Sequence, residues 1–145
     1  MTPAVNRLYV VAAWLPRRTT ITVGALGPLC LERGWQAYVG SARRGRDARV
    51  ARHRRGAKPL RWHADYLFTP WPAGRAWLLD TSLDECALAA HLRGALAPTL
   101  DPAAGFGSSD CGCRGHLVRA PSLTALRGAL AAAVGEGDTL RAVRA

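Results

Sequence analysis

The chain has 145 residues, 49% of them apolar, and carries 20 basic against 10 acidic side chains, a formal charge of +10. That is one domain's worth of sequence with enough apolar content for a core, and no apolar run reaches the roughly 18 residues a membrane span requires. The opening MTPAVNRLYV has no charged segment ahead of a long apolar stretch, so no signal peptide is expected, and the four cysteines fit a reduced, cytoplasmic setting.

Residues 7–15 (RLYVVAAWL) are apolar and β-branched enough for a buried strand, ended by Pro16. Thr19–Val23 predicts a second short strand, closed by Gly24, Gly27 and Pro28. Trp35–Val39 predicts the next strand, and Gly40 begins a turn into a basic helix over about Arg46–Arg55, stopped by Gly56 and Pro59. Leu60–Phe68 reads equally as helix or strand. Arg75–Leu79 predicts a short strand, and Ser82 opens a helix to about Leu96, broken by Pro98. A Gly/Ser-rich loop over Gly105–Gly115 leads to a brief strand, His116–Arg119, and Pro121-Ser122 starts a last helix through Val134. No repeat or linker divides the chain, so residues 1–135 are expected to form a single domain, with 136–145 a frayed tail.

The charge is concentrated. Between Arg43 and Arg61 lie nine basic residues (Arg43, Arg44, Arg46, Arg49, Arg52, Arg54, Arg55, Lys58, Arg61) and one acid, Asp47, which together hold +8 of the +10. Compositional bias explains why 19 of the 20 basic residues are arginine, but not their clustering. A stripe of this kind is the footprint expected for a phosphate backbone, with Arg43, Arg44, Arg46, Arg52, Arg55 and Lys58 as its candidate contacts. On a helix, Arg46, Arg49 and His53 share one face.

Other candidates carry two readings each. Ser82-x-x-Glu85 fits a helix capping box, which spacing alone favours, with a divalent ion as the other use of Glu85. Tyr9 and Tyr38 are ordinary packing residues for strands, or could position water and, with a cation alongside, act as bases. His63 and Asp65 form either an oriented imidazole pair or a buried anchor. Cys111-x-Cys113-x-x-His116 offers three zinc ligands, with Cys86 or His63 as a fourth, although the spacing is not that of a standard finger. Asp110, in the same loop, could lie beside a metal.

Five ordered blocks carry a resemblance: Tyr9 in its strand; Tyr38-Val39-Gly40-Ser41-Ala42 followed by the helix with Arg49 and His53; KPLRWHADYL; DECALA with Glu85; and GFGSSDCGCRGHL. Together, over about Tyr9 to Arg119, they resemble the GIY-YIG nuclease superfamily, specifically an uncharacterised branch found alone or fused to endonuclease III-type proteins in archaea and bacteria. The glycine that usually sits two residues before the first tyrosine is Arg7 here. The resemblance implies an α+β domain with a small antiparallel sheet of three or more strands flanked by helices. It also implies a divalent-metal-dependent endonuclease acting on DNA, in repair or processing. In that reading Glu85 holds Mg²⁺ or Mn²⁺, Arg49 stabilises phosphoryl charge, and Tyr9, Tyr38 and His53 handle water and protons. A non-catalytic nucleic-acid-binding module assisting a repair enzyme, or a zinc-stabilised adaptor, would use the same charge without needing the carboxylate.

Overall fold

A computed structural model describes residues 5–56, 58–96, 106 and 115–144. Among the described residues, seven strands and four α-helices follow in the order β1 (Asn6–Leu15), β2 (Thr19–Val23), β3 (Gly27–Leu31), β4 (Gly34–Ser41), α1 (Arg46–His53), α2 (His63–Phe68), β5 (Arg75–Thr81), α3 (Glu85–Leu96), β6 (Leu117–Ala120), α4 (Leu123–Ala133) and β7 (Thr139–Ala142). The fold is α+β. An antiparallel five-stranded sheet runs β6-β4-β1-β5-β7, and β2 and β3 form a separate antiparallel ribbon. No helix among the described residues is long and apolar enough to cross a membrane.

The apolar run of β1 suits its central place, because a strand covered on both faces needs apolar side chains at odd and even positions alike. Leu8, Val10 and Ala12 point to one layer, where they pack with Leu88, Leu92, Leu126 and Leu130 of α3 and α4. Tyr9, Val11, Ala13 and Leu15 point to the other, against the β2–β3 ribbon, Val50 of α1 and Leu67 and Phe68 of α2. The sheet therefore separates two apolar cores, each of which excludes water from one of its faces.

Three sequence expectations change. The stretch after Gly24 is not merely a terminator: Gly27–Leu31 pairs along the whole of β2. The ambiguous Leu60–Phe68 resolves as the short helix α2 from His63. The tail expected to fray instead supplies β7, an edge strand paired to β5 from Trp77↔Ala142 to Asp80↔Thr139. Its turn is fastened by the Asp138 carboxylate, whose Oδ2 accepts from Thr81 Oγ1 at 2.9 Å and from the Gly135 N–H at 2.9 Å.

Candidate active site

Register brings the two tyrosines together. β1 and β4 pair with Tyr9 opposite Gly40 and Val11 opposite Tyr38, so both phenol rings rise from the same face, centroids 6.5 Å apart. Gly40 matters here for space rather than for a turn. A Cβ at that position would stand 2.7 Å from Cε2 of Tyr9 and nearer still to its Cζ and Oη, far inside contact distance. The turn into α1 is made at Gly45, whose φ of 68° is left-handed and comfortable only for glycine.

Helix α1 lies over this face and presents His53, which is fully buried. Its Nε2 lies 3.1 Å from Tyr9 Oη, and its ring packs 5.7 Å from Tyr38 and 5.5 Å from Phe68. Burial drives its pKa down to about 4, with the neighbouring cations Lys58, Arg52 and Arg49 adding to the fall against the opposing pull of Asp65. The imidazole is therefore neutral at physiological pH and holds any proton it receives only weakly. Burial also pushes Tyr9 up to about 12 despite the Arg49 guanidinium beside it, and raises Tyr38, with Tyr9 and Glu85 reinforcing the effect. At both phenols desolvation outweighs the lowering by Arg49.

Glu85 enters from the opposite layer. It is the first residue of α3, at the end of the sheet where β4 finishes. The capping-box reading of Ser82 and Glu85 gives way to a different cap: Asp84 Oδ1 accepts the Ala87 N–H at 2.8 Å, and the Asp84 carbonyl accepts from Leu88 at 3.0 Å. Relieved of that duty, the Glu85 carboxylate accepts the Ser41 hydroxyl at 2.5 Å through Oε1. Its Oε2 lies 3.6 Å from Nδ1 of His116. Ser41 also accepts Arg49 Nη1 at 3.1 Å on its backbone carbonyl, so one residue links the carboxylate to the arginine. Glu85 and Ser41 line a cleft of about 550 Å³ together with Arg7, Leu8, Arg43 and Asp84. Arg7, which stands where the resemblance leads one to expect glycine, is exposed at its mouth.

Tyr9, Tyr38, Arg49, His53 and Glu85 thus belong to one cluster, with Ser41 as its unforeseen connector. Several of the basic candidates do not face outward. Arg46 is buried, and its Nη1 donates to the Leu8 and Leu79 carbonyls, each at 3.1 Å, and to Asp80 Oδ1 at 2.7 Å. It ties β1 to β5 and cannot grip a phosphate. Arg52 donates to the fully buried Asp65 at 2.9 Å and to the Pro59 carbonyl at 2.7 Å. Lys58 donates to the carbonyls of Arg55 and Phe68, the latter at 3.0 Å. Arg43, Arg44, Arg49, Arg55 and Arg61 remain exposed.

Asp65 is likewise an anchor rather than the partner of a catalytic imidazole. Its Oδ2 accepts Arg52 and the backbone N–H groups of Arg61 and Trp62, at 2.8 and 3.0 Å. Burial favours its protonated form, but those three donors outweigh it and hold the pKa below the usual carboxylate range. His63 opens α2 with its ring 5.8 Å from Phe106. Asp110, Cys111 and Cys113 lie outside the described residues. His116 Nε2 is 3.5 Å from Cys86 Sγ, and among the described residues no group of three or more His, Cys, Asp or Glu side chains converges to hold a metal. A single half-buried carboxylate of hard oxygens, spared from capping, still fits Mg²⁺ or Mn²⁺, ions that keep several waters and take one or two carboxylates plus substrate phosphates.

A family model described as Domain of unknown function DUF123 matches residues 8–138. The chain belongs to that family. The span matched by the DUF123 model runs from β1 to the turn before β7 and includes every residue of the cluster. Neither a curated protein nor a solved structure matches this DUF123 chain.

Proposed function

We propose that this DUF123 domain is a divalent-metal-dependent endonuclease of the GIY-YIG type that hydrolyses phosphodiester bonds in DNA. The observation that carries the reading is the chain of contacts from Glu85 through Ser41 to Arg49, beside the hydrogen-bonded Tyr9 and His53. A domain that only bound a polyanion would have no use for a carboxylate held within its basic surface, where it repels phosphate.

Glu85 would hold Mg²⁺ or Mn²⁺, which when bound supplies charge neutralisation at the phosphoryl oxygens. Arg49 has donors beyond those it gives to Ser41 and Tyr9 and offers them to the same oxygens as charge develops. Water attacks phosphorus, and its proton passes to Tyr9 Oη as the phenol proton passes to Nε2 of His53. The bond from phosphorus to the leaving oxygen breaks, that oxygen takes a proton from solvent, and His53, which holds a proton only weakly, gives the one it received back to solvent. Tyr9 stays neutral between turnovers, as its raised pKa requires, and the phenol relays a proton without ionising. Tyr38 packs edge-on against His53 and Phe106 and keeps the imidazole in line with Tyr9.

The test uses labelled single-stranded, duplex, flap and branched DNA, and RNA, with and without Mg²⁺ or Mn²⁺. Glu85→Gln and Arg49→Ala proteins, checked for folding by thermal melting, run alongside. Metal-dependent DNA cleavage that falls at least about 100-fold in both folded variants is expected. Tight binding with no cleavage of any substrate would replace this reading with a non-catalytic nucleic-acid-binding module that assists a repair enzyme.

A further inference from the structure

The five tryptophans are not equivalent. Trp77 is buried, and Trp35 and Trp71 pack against the two cores. Trp14 is exposed but pairs with Trp35 under Arg33, at the far end of β1 from Tyr9. Trp62 belongs to neither core. It precedes α2 with 39% of its surface exposed, next to Leu60, which is 52% exposed. Its ring lies 5.2 Å from the Arg49 guanidinium carbon, 4.9 Å from that of Arg52 and 6.4 Å from the His53 centroid.

Burying such a ring is favourable, so its partial exposure beside the reactive cluster suits an occupant. The ring is also held still. Its backbone N–H donates to Asp65, Asp65 pairs with Arg52, and Arg52 lies against the ring itself. A fixed aromatic surface among cations, with an apolar neighbour, complements a nucleobase attached to its phosphate. A duplex does not offer that partner, because its bases are stacked on one another; an unpaired base does.

We infer that Trp62 is a stacking platform for an unpaired nucleobase next to the phosphate held at Arg49, so that the preferred substrate is single-stranded DNA or an unpaired nucleotide at a junction. This rests on the phosphodiesterase reading for the identity of the nearby phosphate, but its test does not require cleavage. Binding is measured by fluorescence anisotropy in EDTA, using full-length Glu85→Gln protein and three labelled probes: a single-stranded oligonucleotide, the same strand with abasic sites, and the duplex. Trp62→Ala, Trp62→Phe and Trp62→Leu are compared in that background.

Trp62→Ala and Trp62→Leu are expected to weaken single-strand binding about 10- to 100-fold, and Trp62→Phe less than about 5-fold, since stacking needs a π-face and not just apolar volume. Abasic strands should bind the Trp62 protein about as weakly as base-bearing strands bind Trp62→Ala, and duplex binding should change less than about 2-fold. The side chain lies outside both cores, so melting temperatures should hold. Unchanged single-strand binding in Trp62→Leu overturns the proposal. An equal loss for all three probes also overturns it, leaving Trp62 as a support for Arg49. A strongly reduced melting temperature in both Trp62→Phe and Trp62→Leu does so as well, by making the ring a packing residue. Base-dependent binding without cleavage by the Glu85 protein would instead defeat the nuclease reading and leave the platform standing.

Discussion

Gly40 and Tyr9 face each other so closely that the glycine's missing side chain is part of the site. Gly40→Ala should displace the Tyr9 ring and break its contact with His53. A loss of roughly 2 kcal/mol or more in denaturant unfolding is expected, as for other overpacked cores, along with loss of the proposed cleavage. Unchanged stability would mean that the ring has another place to go. His53 gives a second prediction. Its folded pKa of about 4 lies below its ordinary 6.5, so the unfolded chain binds the extra proton. The stabilising contribution is complete above pH 6.5 and is lost as pH falls toward 4. Between those values the protein should lose roughly 3 kcal/mol more than a His53→Gln variant does, measured by urea unfolding across the range. Parallel pH profiles for the two proteins would refute a buried neutral imidazole.

Elements were legible in the sequence where one pattern spoke clearly and hidden where two competed. The apolar run of β1, the Gly-bounded β4 and the Ser-capped α4 could each be read directly. The strand β3 could not, because Gly27-Pro28 punctuates like a loop, yet it pairs opposite Thr22 and Val23 in a two-stranded ribbon whose strands are both edges, where proline is tolerated. β7 was missed because an edge strand of TLRA needs no apolar alternation; its bonds go to the backbone of β5. Removing residues 136–145 should therefore lower stability by about 2 kcal/mol, from the lost contacts of Leu140 and Val143. It should also increase aggregation through the uncovered β5 edge. Calorimetry and light scattering of the truncated chain test both, and an unchanged melting curve would return the tail to a passive role. At α3 the site was half legible: Glu85 stood out, but local spacing suggested a cap, and only the tertiary contact to Ser41, 44 residues away, distinguishes the two roles.

Across the whole molecule, charge in the sequence overstated charge at the surface. Arg46, Arg52 and Lys58 meet carbonyls and carboxylates that lie far along the chain or across a turn, and such partners are invisible to a count of basic residues. The exposed set of Arg43, Arg44, Arg49, Arg55 and Arg61 leads to a salt dependence of duplex binding with a logarithmic slope of about −4 to −5 if all five meet phosphates. Arg44→Ala should reduce that slope by about 1 with little effect on stability. Arg46→Met should do the reverse, costing about 2 kcal/mol of stability as the bonds to the Leu8 and Leu79 carbonyls and to the partly exposed Asp80 are lost, while the slope stays put. A slope change in folded Arg46→Met protein would contradict its inward role.

The cluster straddles the end of the sheet: Arg49 and His53 ride on the layer of α1, whereas Glu85 begins the layer of α3, and Ser41 is their junction. Neither layer can therefore be competent by itself. The arrangement acts as a coincidence detector for folding, complete only when both cores have closed on the same sheet. Under the proposed nuclease reading, a nascent or partly unfolded chain would keep much of its positive charge and still cling to nucleic acid, but it would have no means to cut.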